Sequence, residues 1–264
     1  GDGKIDVDDL EWSYLKGDGD FNSEEIKKLR DEADIIITNP PFSLFREFFL
    51  WIEEGRKQFL LIGNMNAITY KELFSHIKEN RVSLEATNFN KGMYFKVPAD
   101  FVYADTYKFE KEQNKEMVNR VPGVCWFTNI DHGKRHQPLS LMTMEENIKF
   151  NKKIKGQEYQ RYDNYDAIEV SFTDAIPSDY EEAMGGPITF LDKYSPEQFE
   201  IVGMCENIDL YNLKTKVYTS SECKQAYLDK FGKPGTYDLN ASGVIIKNGL
   251  LEKVYQRILI KHKK

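Results

Sequence analysis

The chain has 264 residues, 41% of them hydrophobic and 13% aromatic, which suffices for a sizeable core and is unlike a disordered composition. A net charge of −7 excludes a uniformly basic coat, so any surface that binds a polyanion must be segregated. No apolar run is long enough to span a bilayer and no signal peptide is seen, while Cys125, Cys205 and Cys223 show neither metal spacing nor a disulfide framework. A cytoplasmic protein without a metal is expected.

In chain order, Asp2-Gly3-Lys4-Ile5-Asp6 with Asp8 and Asp9 imitates half of a calcium loop, but the first ligands and the closing glutamate are missing. It reads as an acidic turn. Gly17-Asp18-Gly19-Asp20-Phe21 leads into a helix from Ser23 to Arg30. Asp34 to Thr38 is a β-branched run, predicted to be a buried strand of a parallel sheet. After Asn39-Pro40-Pro41-Phe42, the spacing of Leu44, Phe45, Phe48, Phe49 and Ile52 predicts a helix capped by Ser43. Gln58 to Ile62 is a second buried strand ending at Gly63-Asn64-Met65-Asn66. A helix from Tyr70 to Asn80 turns Leu73, Phe74 and Ile77 inward, and Val82 to Thr87 is a further strand. From Asn88 to Val121 the pattern becomes a polar, aromatic-rich loop. Gly123 to Ile130 and Leu139 to Met144 are predicted to pair as a hairpin across a basic turn holding His132, Lys134, Arg135 and His136.

Composition shifts near Asn151-Lys152-Lys153-Ile154-Lys155-Gly156. Beyond it, short apolar blocks at 167–172, 188–191, 199–202, 217–219, 243–246 and 254–260 predict a β-rich region with one helix near 221–231. The expected division is 1–150 and 151–264.

The two prolines carry no amide hydrogens and hold a stiff turn at the carboxyl end of a strand, where open α/β sheets bind ligands. Asn39 offers a side-chain carbonyl and Pro40 a backbone carbonyl, two fixed acceptors suited to an exocyclic amino group with two hydrogens to give. Such acceptors favour a pyramidal nitrogen and stabilise positive charge as a methyl group arrives, without a strong base. Phe42 supplies a flat apolar face for an extruded base. These residues point to amino-methyl transfer; a plain Pro-Pro strand terminator is the alternative.

Asn39-Pro40-Pro41-Phe42-Ser43-Leu44-Phe45-Arg46-Glu47 resembles the EcoRI-type adenine-specific DNA methyltransferase family. So do the stretches Ile62 to Glu72, Trp126 to His136 and Ile188 to Tyr194. The resemblance implies a partial Rossmann-like α/β core with a carboxyl-terminal β-rich recognition region. It implies S-adenosylmethionine as methyl donor, duplex DNA as partner, and a restriction-modification setting in which a paired endonuclease need not touch this chain. Asn39, Pro40, Pro41 and Phe42 would be catalytic. Asp20 and Phe21, with Asn39, would hold the cofactor's adenine end.

The same resemblance calls for a glycine-rich loop after a first strand and an acidic residue after a second. Two such βα units take on the order of sixty residues, and sixteen precede Gly17. Gly185-Gly186, Gly203 and Gly243 lack the strand–glycine–helix layout, so the chain reads as the family without its amino-terminal cofactor half. Asn64, Asn66, Asn129, His132, Lys134 and Arg135 are the expected DNA contacts. An RNA or protein-glutamine methylase using the same tetrapeptide, and a DNA-binding remnant without catalysis, stay open at this point.

Overall fold

A computed structural model describes residues 13–84, 92–96, 109–111 and 117–264 of the chain, with only the backbone at 109–111 and 117–119. The acidic turn at 1–9, most of the 88–121 loop and the end of the 82–87 strand lie outside the described residues.

Helix α1 (Glu24–Glu32) starts at Ser23, whose hydroxyl accepts from the Ile26 amide. Strand β1 (Ile35–Thr38) leads through the two prolines into one turn of 3₁₀ helix and then α2 (Phe45–Gly55). Strand β2 (Gln58–Asn64), α3 (Lys71–Lys78) and the short β3 (Ser83–Leu84) follow. Strands β4 (Met93–Lys96), β5 (Phe109–Lys111) and β6 (Met117–Val121) form a small antiparallel sheet in the order β4-β6-β5. Strand β7 (Val124–Thr128) returns to the first sheet.

That sheet has the order β1-β2-β7-β3. β1 and β2 are parallel, and β7 runs antiparallel to both β2 and β3. β1, β2 and β3 therefore share a direction, joined by helical crossovers, with one reversed strand inserted. The hairpin expected between 123–130 and 139–144 is not formed. β7 takes its partners from strands far earlier in the chain, while Leu139 is held by the side chain of Gln198, which donates to its carbonyl and accepts from its amide. β1 is also less covered than expected. Among the described residues it is an edge strand; only Ile36 faces the main core, whereas Ile35 is 45% and Ile37 66% exposed.

The second half begins with α4 (Met144–Phe150), closed by a capping box between Thr143 and Glu146. Strands β8 (Ile168–Glu169), β9 (Met184–Pro187) and β10 (Phe199–Met204) precede α5 (Ser220–Phe231). A tight ribbon of β11 (Val244–Lys247) and β12 (Leu250–Lys253) turns at Asn248 and Gly249, both at positive φ. Strand β13 (Arg257–His262) completes a sheet of order β10-β13-β9-β8. The apolar block at 188–191 is 3₁₀ helix, not strand. One hydrophobic core runs through both halves, from Phe45 and Phe59 to Phe199 and Ile260. The protein is mixed α/β with several sheets, and among the described residues no helix is long and apolar enough to cross a membrane.

Candidate active site

The Asn-Pro-Pro-Phe turn is anchored from beneath. Phe45, three residues past Phe42, is buried with its ring against Gly63 of β2 and 5.4 Å from the Phe127 ring. A Cβ at Gly63 would overlap the Phe45 ring, so this glycine is needed for α2 to lie close on β2. Pro40 is buried, and the Pro41 carbonyl accepts from the Leu44 amide at 2.9 Å to open the 3₁₀ turn. The residue at the start of α2 is Leu44, without a side-chain cap, so Ser43 does not play the capping part expected of it. Asn39, Pro41 and Phe42 are exposed. The kink is rigid below and open above.

Two further groups frame the opening. Asn64 ends β2 on the neighbouring parallel strand, at the same end of the sheet as Asn39. Its side-chain oxygen accepts from the Asn66 amide at 2.8 Å, which shapes the turn, and both asparagines are exposed. Arg46 in the first turn of α2 pairs with Glu72 in the first turn of α3. Burial is the largest influence and raises the Glu72 carboxyl, but the Arg46 hydrogen bond, a backbone hydrogen bond and the charges of Arg46 and Lys71 together hold the group below its ordinary range. The ion pair ties the two helix starts together.

Phe21 packs edge-on against Phe48 and Trp51 of α2, with ring centroids 5.3 and 5.9 Å away. The Asp20 carboxylate is exposed and accepts from the Asn22 amide at 2.9 Å. Just before them, Glu25 accepts from the Lys16 and Gly17 amides, and those backbone bonds lower its pKa. Phe21 thus packs on α2, with Asp20 as its exposed neighbour in the chain. An exposed acceptor beside an aromatic cluster fits a purine ring with an amino group, so these residues suit the adenine end of the expected cofactor. Gly185 and Gly243 both give room to the Tyr162 ring, and Gly203 to Tyr211 and Leu213, so none of them is a ligand loop.

The remaining expected contacts lie elsewhere. Asn129 accepts from the Phe59 amide at 2.8 Å and donates to the Lys57 carbonyl at 2.9 Å, at the opposite end of β2 from Asn64. His132 bonds the Leu84 carbonyl, Arg135 donates to the Asn80 carbonyl, and Lys134 pairs with Asp192 at 2.8 Å. These four side chains hold the turn after β7 to the body of the protein. Each of the four therefore has a protein partner, while His132 Nδ1 and Arg135 Nε are buried without one among the described residues. Sequence reasoning missed the Arg46–Glu72 pair; a cation at a helix start, where the macrodipole opposes it, was the available signal.

A family model described as adenine-specific methyltransferase EcoRI matches residues 1–263. The chain belongs to the EcoRI adenine-specific methyltransferase family. It is 42% identical over 211 residues to the type II methyltransferase M.EcoRI of Escherichia coli, covering 78% of this chain and 61% of that protein. To the type II methyltransferase M.MpnI of Mycoplasma pneumoniae it is 38% identical over 213 residues, covering 78% of this chain and 63% of the relative. The chain thus spans a little over three-fifths of the length of the curated relatives it matches. No solved structure matches it.

Proposed function

We propose that this chain carries the target-adenine site of a DNA methyltransferase that moves a methyl group from S-adenosylmethionine to the N6 amino nitrogen of adenine in duplex DNA. The observation that carries this is the exposed Asn39 amide on a turn whose next residue, Pro40, is buried. Asn39 Oδ1 and the Pro40 carbonyl would accept the two amino hydrogens of an extruded adenine and leave its lone pair directed at the donor. As the nitrogen gains positive charge, both acceptors bind it more strongly than in the ground state. Phe42 would cover the ring face, at the cost of a few kcal/mol to unstack the base from the duplex. Asn64 and Asn66, exposed on the adjoining strand end, would contact the nucleotides beside it.

Asp20 and Phe21 would hold the cofactor's adenine; when bound, the cofactor supplies an electrophilic methyl carbon. We read β1, β2, β3 and the reversed β7 as part of a Rossmann-like core. Residues 151–264 are read as the region that recognises the DNA target, in a restriction-modification setting. The test is incorporation of labelled methyl groups from S-adenosylmethionine into duplex DNA, RNA and protein acceptors. Label in N6-methyladenine of DNA is the expected result. Label in RNA or in glutamine side chains, or DNA binding with no heat on adding the cofactor, would replace this reading with another.

A further inference from the structure

Beside the β11–β12 ribbon, on the side of the second sheet away from α3, lie two hollows of about 200 Å³ and about 470 Å³. Both are lined by Glu169, Ser171 and Ile245, so they form one trough. Its cations are Lys153, Lys230, Lys247, Lys253 and Arg257; its anions are Glu158 and Glu169. Glu169 is spent: it is buried and bridged by Arg257 at 2.7 Å, with Ser171 and Tyr162 donating to its carboxylate. Asp174 pairs with Lys153 and Glu252 with Lys230, yet Lys247 and Lys253 are in no ion pair among the described residues. In a chain of net charge −7 this is segregated positive charge lying in a concavity.

The rim is also unlike an inert surface. Tyr255 is 87% exposed, Ile246 and Leu250 flank the rigid ribbon tip in solvent, and Phe172 lies under the Lys153 ammonium at 5.4 Å. A tight two-stranded ribbon has the width of a DNA groove. Ammonium groups on either side of it, with a phenol free to donate, are the donors that a row of phosphates takes.

We propose that this trough receives one sugar–phosphate strand of duplex DNA, with the β11–β12 ribbon lying along the adjoining groove. This rests on the DNA methyltransferase reading above and names where the duplex lies beyond the target base. Lys153, Lys247 and Lys253 hold phosphates; the buried Arg257–Glu169 pair keeps the trough floor rigid.

The experiment is binding of a mixed-sequence duplex, followed by fluorescence anisotropy across a salt series. The variant Lys153→Gln/Lys247→Gln/Lys253→Gln should flatten the slope of log affinity against log salt by about 2 to 3, at about 0.9 per phosphate contact. Lys28→Gln/Lys193→Gln/Lys224→Gln changes net charge equally and should leave the slope unchanged. The single Lys247→Glu at the ribbon tip gives the same direction of effect should the triple variant fold poorly. An unchanged slope in the trough variants, an equal change in the control, or competition by polyglutamate as strong as by DNA each overturns the trough. A parent chain that binds no duplex overturns the trough together with the DNA reading; a parent that binds while the trough variants match it overturns the trough alone.

Discussion

Two strands of the first sheet end in the same dipeptide, Thr38-Asn39 after β1 and Thr128-Asn129 after β7, and the two asparagines have opposite fates. β7 runs against β2, so Asn129 emerges at the start of β2, where its amide caps the Phe59 and Lys57 backbone and Thr128 donates to the Phe59 carbonyl. β1 runs with β2, so Asn39 emerges at the other end. There the following prolines offer no amide to bond and swing the chain away into α2. One asparagine serves as backbone glue and the other stays open to a ligand. Strand direction and the next two residues make the difference.

The sharpest way to break this contrast is to remove each amide in turn. Asn39→Ala should lower methyl transfer by about 10²–10³-fold, the usual loss of one preorganised acceptor or donor, while the denaturant midpoint stays put because the side chain is exposed. Retained turnover in a label-incorporation assay would mean that Asn39 is only a turn residue. Gly63→Ala tests what lies beneath the open end. The new methyl must displace Phe45 or Phe127, and a loss of about 1–3 kcal/mol in equilibrium unfolding is expected from overpacking. Full stability in Gly63→Ala would show that α2, and with it the Phe42 turn, is not held by this contact.

Asn129→Ala should give the mirror image of Asn39→Ala. Stability should fall by about 1–2 kcal/mol, as expected for leaving backbone groups at the β2 start without partners, while turnover per folded molecule and the salt slope of DNA binding stay constant. A changed salt slope with unchanged stability would show that Asn129 is a DNA contact.

The contrast also explains what could be read from the residues alone. The stiff turn, the helices at 71–78 and 220–231 and the inward faces of Leu73, Phe74 and Ile77 follow from local periodicity and proline chemistry, and they are in place. What was missed is non-local. β7 pairs with residues more than forty positions away, so its direction, and hence the fate of Asn129, left no mark in its own sequence. β9 is Met184-Gly185-Gly186-Pro187, whose glycines carry no strand signal, and Gly185 is there to admit the Tyr162 ring. The charge of the basic turn is visible in the sequence, whereas a protein partner such as Asp192, fifty-eight residues on, is not.

The smallest expected effect comes from that same turn and asks whether it is purely structural. His136 bonds Asp131 and Glu197, one through each ring nitrogen, tying the turn to the segment before β10. Hydrogen bonds to Asp131 and then Glu197 raise the His136 pKa above its ordinary 6.5, while the bond to His136 lowers Asp131 below 3.8 and Glu197 below 4.5. The imidazolium contribution is full below 6.5 and is lost as pH rises through the raised value; the carboxylate contributions are full above 4.5 and are lost as pH falls through the lowered values. Both are present together between 4.5 and 6.5. All three groups are at the surface, so solvent screening keeps the effect small. His136→Gln should therefore lower the melting temperature slightly within that window and converge with the parent on either side of it. A difference that is flat with pH would show that the ring acts by packing, and one that appears only in DNA binding would place this turn at the interface.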